Sequence, residues 1–154
     1  MTDVPAQMHA VLAEWARDCG MPELCFDDTA LTSIEADGWL IGIRIVQEPV
    51  AHLLFTIRLK QIEATDDGAA FAVLQLVPTH WFSGSLTLGL DATDTVIGWT
   101  ALPAAILTAD RVGDVVFGLV EQATGIVDEL DAISRGLPDT ERQREHAAPP
   151  NGYA

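Results

Sequence analysis

Two runs of the chain, WLIGIRIVQ (39–47) and HLLFTIRLKQI (52–62), alternate in hydropathy with a period of two residues. That period places successive side chains on opposite faces of a strand. Trp39, Ile41, Ile43 and Ile45 share one face of the first run, and Leu53, Phe55, Ile57 and Leu59 share one face of the second. Only a short break at Glu48-Pro49 separates them, so they form an antiparallel pair. The face made only of large apolar residues is core. The opposite face carries Leu40, Gly42, Arg44 and Val46, then Leu54, Thr56, Arg58 and Lys60. It is more apolar than a solvated face requires.

The rest of the chain arranges itself around this pair. Met8, Val11, Leu12, Trp15 and Cys19 recur at helical spacing over 5–20, with Pro5 in the first turn and Gly20 at the end. Leu24–Phe26 and Leu31–Ile34 read as short extended pieces, and Ala36-Asp37-Gly38 as a turn. Thr65-Asp66-Asp67 looks like a helix start. The helix that follows, GAAFAVLQLV, has Gln75 as its only polar side chain. Such a helix must be buried on most sides, and in a chain of 154 residues oligomerisation is the simplest way to do so.

A hairpin over 85–102 comes next. Then Thr108 caps a long helix with the stripe Val112, Val115, Val116, Leu119, Val120, Ile126, Val127, Leu130 and Ile133. Gly113, Gly118 and Gly125 mark close packing along it. Residues 138–154 have no apolar period and contain three prolines, so they read as a disordered tail behind a domain spanning 1–137. The order is helix-β-β-β-helix-β-β-helix. This is an α+β fold with a mainly antiparallel twisted sheet and helices packed on it.

The hairpin SLTLGLDATDTVIGWTAL admits two registers. A loop centred on Thr93 sets Leu90 opposite Val96 and Leu88 opposite Gly98, with Ile97 and Trp99 facing away from the leucines. A four-residue turn, Asp91 to Asp94, pairs Leu88 with Ile97 and Leu86 with Trp99. The second is preferred because it gathers Leu86, Leu88, Leu90, Ile97, Trp99 and Ala101 on one face. A slip of one residue exchanges every face.

Formal charge is −15, and the eight basic residues are scattered. Nucleic acid and anionic membrane surfaces are therefore poor partners. No apolar run reaches the length of a membrane span, and the first residues lack a signal-peptide pattern. Cys19 and Cys25 match no zinc or redox spacing and read as reduced, partly buried thiols. His9, His52, His80 and His146 have no partners at metal-ligand spacing. Ser83-Gly84-Ser85 lacks the strand–turn–helix setting of a nucleophile elbow, and Lys60, the sole lysine, belongs to no phosphate loop. No catalytic constellation, cofactor site or metal site emerges, so the chain is read as a non-enzyme. Trp15, Trp39 and Trp99 are assigned to the core. Trp81 is the tryptophan best suited to an interface.

Two stretches carry a resemblance. PELCFDDTALTSIEADGWLIGIRI and VPTHWFSGSLTLGLDATDTVIGWTALP are similar to the class I chaperones of bacterial type III secretion. Here the junction His80-Trp81-Phe82-Ser83-Gly84 leads into the hairpin. The turn Asp91–Thr95 lacks the usual glycine, as does the position near Ala30. The resemblance implies a cytoplasmic homodimer without cofactor or metal, which binds the N-terminal segment of a secreted effector in extended form. It further implies that the middle helix and the strand after it build the dimer.

On that basis Leu40, Arg44, Val46, Leu54 and Arg58 are candidates for effector contact, and Phe71, Leu74, Val77, Trp81 and Leu86 for the dimer. The secretion ATPase or another export component is a further partner class. Two other readings stay open: a chaperone-like regulator or adaptor of the secretion system, and a small-ligand-binding or catalytic α+β domain.

Overall fold

The computed structural model describes residues 3–63, 68, 70, 72, 73, 76 and 86–135. Helix α1 spans Val4–Asp18, with proline in its first turn. Gly20 turns the chain out of the helix at φ +67°. The Met21 amide then reaches back to the Ala16 carbonyl at 2.8 Å and satisfies a terminal acceptor. Met8, Leu12, Trp15 and Ala16 are buried, whereas Cys19 lies beyond the helix end. Contrary to expectation, Cys19 and Cys25 are both exposed.

Strands β1 (Leu31–Ala36) and β2 (Trp39–Val46) meet at Asp37-Gly38. Both turn residues have positive φ, +52° and +82°, which matches the strands' right-handed twist. Strand β3 (His52–Gln61) pairs antiparallel with β2, as the alternation predicts. Leu24–Phe26 forms no strand. The described residues Gly68, Ala70, Ala72, Val73 and Leu76 are helical, and the last three are buried. The rest of the proposed middle helix and its cap, the junction 80–84 and the tail 138–154 lie outside the described residues.

Strands β4 (Thr87–Leu90) and β5 (Thr95–Pro103) are followed by a 3-10 turn, Ala104–Ile106, and by helix α2, Ala109–Ser134. Thr108 caps α2 by accepting the Arg111 amide at 3.3 Å. The strand order is β1-β2-β3-β5-β4, antiparallel throughout. The inward sides of the strands form one apolar cluster with the buried stripes of α1 and α2. None of the three α2 glycines is required by close packing: a Cβ at Gly113 would stand at an ordinary 3.5 Å from Trp15 Nε1, and Gly125 has open space around it.

The hairpin takes the register set by a loop centred on Thr93, not the preferred one. Leu90 faces Val96, Leu88 faces Gly98 and Thr87 faces Trp99. The reason is local. Asp91 Oδ1 accepts the Thr93 amide at 2.8 Å, the Thr93 hydroxyl at 2.7 Å and the Thr95 amide at 3.0 Å. Asp94 sits in the left-handed region at φ +56°, completing a three-residue loop. Thus Trp99, Ile97 and Ala101 face away from the core, while Leu86, Leu88, Val96 and Gly98 are buried.

The same device occurs once more among the described residues. Asp27 Oδ1 accepts the Thr29 amide at 2.8 Å, the Thr29 hydroxyl at 2.7 Å and the Leu31 amide at 3.0 Å. Ala30 takes the left-handed position, also at φ +56°. Each left-handed residue passes its carbonyl to a neighbouring segment, Ala30 to the Ile45 amide and Asp94 to the Ile62 amide. Alanine in that region is strained by about 1 kcal/mol. Ala30→Gly should therefore raise stability by no more than about 0.6 kcal/mol in urea denaturation, because the extra unfolded-state entropy of glycine, about 0.4–1 kcal/mol, offsets most of the relieved strain.

Candidate functional site

The register fixes which residues share the sheet face turned away from the helices. One row across the strands reads Leu31, Arg44, Leu54 and Ala101. The next reads Ser33, Gly42, Thr56, Trp99 and Thr87. On one side of these rows lie Glu35 opposite Leu40, and Arg58 opposite Ile97 and Gly89. On the other, Val46 faces His52. The five sequence candidates Leu40, Arg44, Val46, Leu54 and Arg58 therefore lie on a single face of two adjacent strands.

Their exposure differs. Leu40 is 45 % exposed, Arg44 and Arg58 are exposed, and Val46 and Leu54 are half-buried. Sequence reasoning missed Trp99 and Ile97, which extend this face across β5 and are half-buried. The signal was present in the Asp-x-Thr spacing at 91–93, which selects the loop and hence the face. The Trp99 ring lies over Gly89, so that a Cβ at 89 would come within 2.9 Å of it. Gly42 is likewise crowded by the Thr56 hydroxyl. A shallow trough of small residues, Ser33, Gly42 and Thr56, thus ends against an indole wall.

Lys60 does not belong to this face. A bulge between Arg58 and Lys60 inserts one residue against β5 and shifts the alternation. Lys60 instead forms an ion pair with Asp131 of α2. The Lys60 ammonium holds the Asp131 carboxyl below its usual range.

Arg58 approaches Asp91 Oδ2 at 3.4 Å. Asp91 is held at a pKa of about 2, chiefly by the Thr93 hydroxyl and the Thr95 and Thr93 amides, with a smaller contribution from Arg58. Asp27 is also lowered, first by the Leu31 amide and then by the Thr29 hydroxyl. Both shifts favour the charged form in the folded state. The stability they confer is complete above the unfolded carboxyl value of 3.8 and is lost as pH falls toward the folded value, near 2 for Asp91. Asp91→Asn should flatten that part of the stability–pH curve, measured by urea denaturation between about pH 4 and about pH 2.

Two cavities flank the segment that joins α1 to β1. One, of about 410 Å³, lies between Met21–Cys25 and strand residues Thr32–Glu35. The other, of about 550 Å³, lies between the same segment and α1, beside the edge-to-face contact of His9 with Phe26 at 4.6 Å. Among the described residues strand β1 pairs with β2 alone, and its other edge adjoins the first cavity.

Of the residues nominated for subunit contact, Phe71, Leu74, Val77 and Trp81 lie outside the described residues. Leu86 is 2 % exposed within this chain, and its side chain covers Gly98. Among the described residues, no group of three His, Cys, Asp or Glu could hold a metal ion, and no helix is long and apolar enough to cross a membrane.

Comparison with curated proteins finds no match. Among solved structures, a chain of the ExsC-ExsE complex is similar at 23 % identity and a TM-score of 0.73, covering 84 % of this chain and 97 % of that one. A chain of the HopA1-SchA chaperone-effector complex is similar at 18 % identity and a TM-score of 0.68, covering 83 % and 99 %. The type III secretion chaperone SycH of Yersinia pestis, in complex with a fragment of YscM2, gives 19 % identity and a TM-score of 0.59, covering 77 % and 98 %. These likenesses are of fold. The Tir chaperone protein (CesT) family model matches residues 10–126, which takes in every described strand and most of both helices. The chain belongs to the Tir chaperone protein (CesT) family.

Proposed function

We propose that this protein is a dimeric chaperone of the bacterial cytoplasm, without catalysis of its own. It binds the N-terminal segment of a type III secreted effector in extended form and keeps it soluble and fit for export. The observation that carries this reading is the outer sheet face. Leu40, Val46, Leu54, Ile97 and Trp99 share that face with Arg44 and Arg58, in a family of chaperones. A mixture of apolar side chains and arginines on one face suits an interaction surface, which supports this reading. The likeness to a chaperone-effector complex supports the same reading.

The segment would place apolar anchors on Leu54 and Trp99, with arginine donors meeting its backbone carbonyls. The free edge of β1 offers strand pairing beside the cavity at Thr32–Glu35. Dimerisation would use Phe71, Leu74, Val77 and Trp81, the apolar positions that one chain of this size cannot readily bury. Light scattering at micromolar concentration should give twice the protomer mass; a monomer would sink this part.

Co-expression with the secreted proteins encoded beside it, followed by pull-down, tests the function. Capture should need no more than about the first hundred residues of the partner, a span long enough to wrap a dimer surface. A partner held through its folded C-terminal part would instead favour the regulator or adaptor reading.

A further inference from the structure

The helix layer, opposite the outer sheet face, holds a cleft that the chaperone reading does not use. It has a volume of about 340 Å³ and lies between the end of α1 and the start of α2. Its walls carry three carboxylates, Asp18, Asp110 and Asp114, and among the described residues no basic residue lines it. Among the described residues none of the three takes part in an ion pair. Its floor is Trp15, which is only 5 % exposed. The indole N–H lies beside Gly113, where a Cβ would stand 3.5 Å from Nε1, and it donates no hydrogen bond among the described residues.

A buried indole N–H normally finds an acceptor, and an unpaired one calls for an explanation. The cleft therefore offers two things at once, a donor at Trp15 Nε1 and carboxylates that favour a cation. The partial negative charge at the α1 C-terminus adds to the demand for a cation, and Asp110 offsets the opposite charge at the α2 N-terminus. Neither a bare metal ion nor an anion meets both needs. An arginine within a peptide does, because its guanidinium forks onto carboxylates while a backbone carbonyl of the same chain accepts from the indole. Beyond the cleft on the α2 surface stands Phe117, which is 64 % exposed and offers an apolar contact to residues flanking such an arginine.

We propose that this cleft docks an arginine-bearing segment of a second protein, distinct from the secreted segment on the sheet face. The guanidinium sits among Asp18, Asp110 and Asp114, and a carbonyl of the segment accepts from Trp15 Nε1. The chain can thus hold two partners at once, on opposite layers.

The test uses the full chain, labelled with nitrogen-15, and the acetylated, amidated tri-arginine peptide as probe. The Trp15 indole resonance, assigned with Trp15→Phe, should shift saturably. Asp110→Asn/Asp114→Asn should weaken binding about threefold or more, up to about thirtyfold, since both carboxylates are exposed and each such pair is worth up to about 1 kcal/mol. Asp18→Asn, on the other helix, should weaken it in the same direction and guards against a local effect on the α2 cap. Glu121→Gln/Asp128→Asn, farther along α2, should leave affinity within about twofold, and so should Leu54→Asp. An unmoved Trp15 indole would overturn the proposal. Equal weakening by both α2 double variants would do the same, because it would mean diffuse attraction to an acidic surface. Neither result bears on capture of a secreted segment, which is read separately by pull-down.

Discussion

Leu54→Asp should lower capture of a secreted N-terminal segment by about 100-fold or more, with the fold intact. Leu54 stands at the middle of the outer face, in the row Leu31, Arg44, Leu54 and Ala101. A bound apolar anchor would cover it, and a carboxylate there would then be desolvated without relief, at a cost of about 3 kcal/mol or more. That corresponds to roughly two decades in affinity. The free protein should tolerate the change, because position 54 is half-buried and neighbours Arg44, which can meet the new charge. Far-ultraviolet circular dichroism and the urea midpoint should stay close to wild type. Undiminished capture would remove this face from the site.

Gly98→Val should destabilise the protein by about 1–3 kcal/mol, the usual range for forcing bulk into a packed interior. A Cβ at 98 would lie 2.6 Å from Leu86 Cδ2 and 2.9 Å from its Cγ. Leu86 cannot swing away freely, since it is itself only 2 % exposed. The same substitution would be harmless in the alternative register, where position 98 faces outward. A urea midpoint unchanged by Gly98→Val would therefore contradict the observed pairing of Leu88 with Gly98. Gly98→Ala should give an intermediate loss.

That register shows where sequence reasoning stops. Alternation sorted the faces of β2 and β3 because each run has one face made only of large apolar residues. The hairpin offered two such sortings, and counting apolar residues chose the wrong one. The deciding interactions belong to polar groups, the Asp91 carboxylate and the amides of Thr93 and Thr95. The matching loop at Asp27–Leu31 shows that an Asp-x-Thr spacing ahead of a strand can be read as a loop signal in this chain. Lys60 was misplaced for a related reason. A bulge adds one residue to one strand, and hydropathy alternation carries no mark of it. The Thr108 cap and the α2 stripe were legible because the capping residue and the helical period agree there.

The candidate site was legible on β2 and β3 and illegible on β5. Leu40, Arg44, Val46, Leu54 and Arg58 follow from alternation alone. Trp99 and Ile97 depend on the hairpin register, so they joined the site only with the structure. The exposure of Cys19 and Cys25 was equally hidden, because both flank the turn out of α1 rather than lying within a periodic element.

The central claim is that the outer sheet face receives the secreted segment. Hydrogen–deuterium exchange of the protein, free and bound to a captured segment of about one hundred residues, tests it most directly. The account predicts new protection in β1, from its free edge, and across β2, β3 and β5, with little change along the outward side of α2. Protection confined to α1 and α2, with the sheet unchanged, would contradict it.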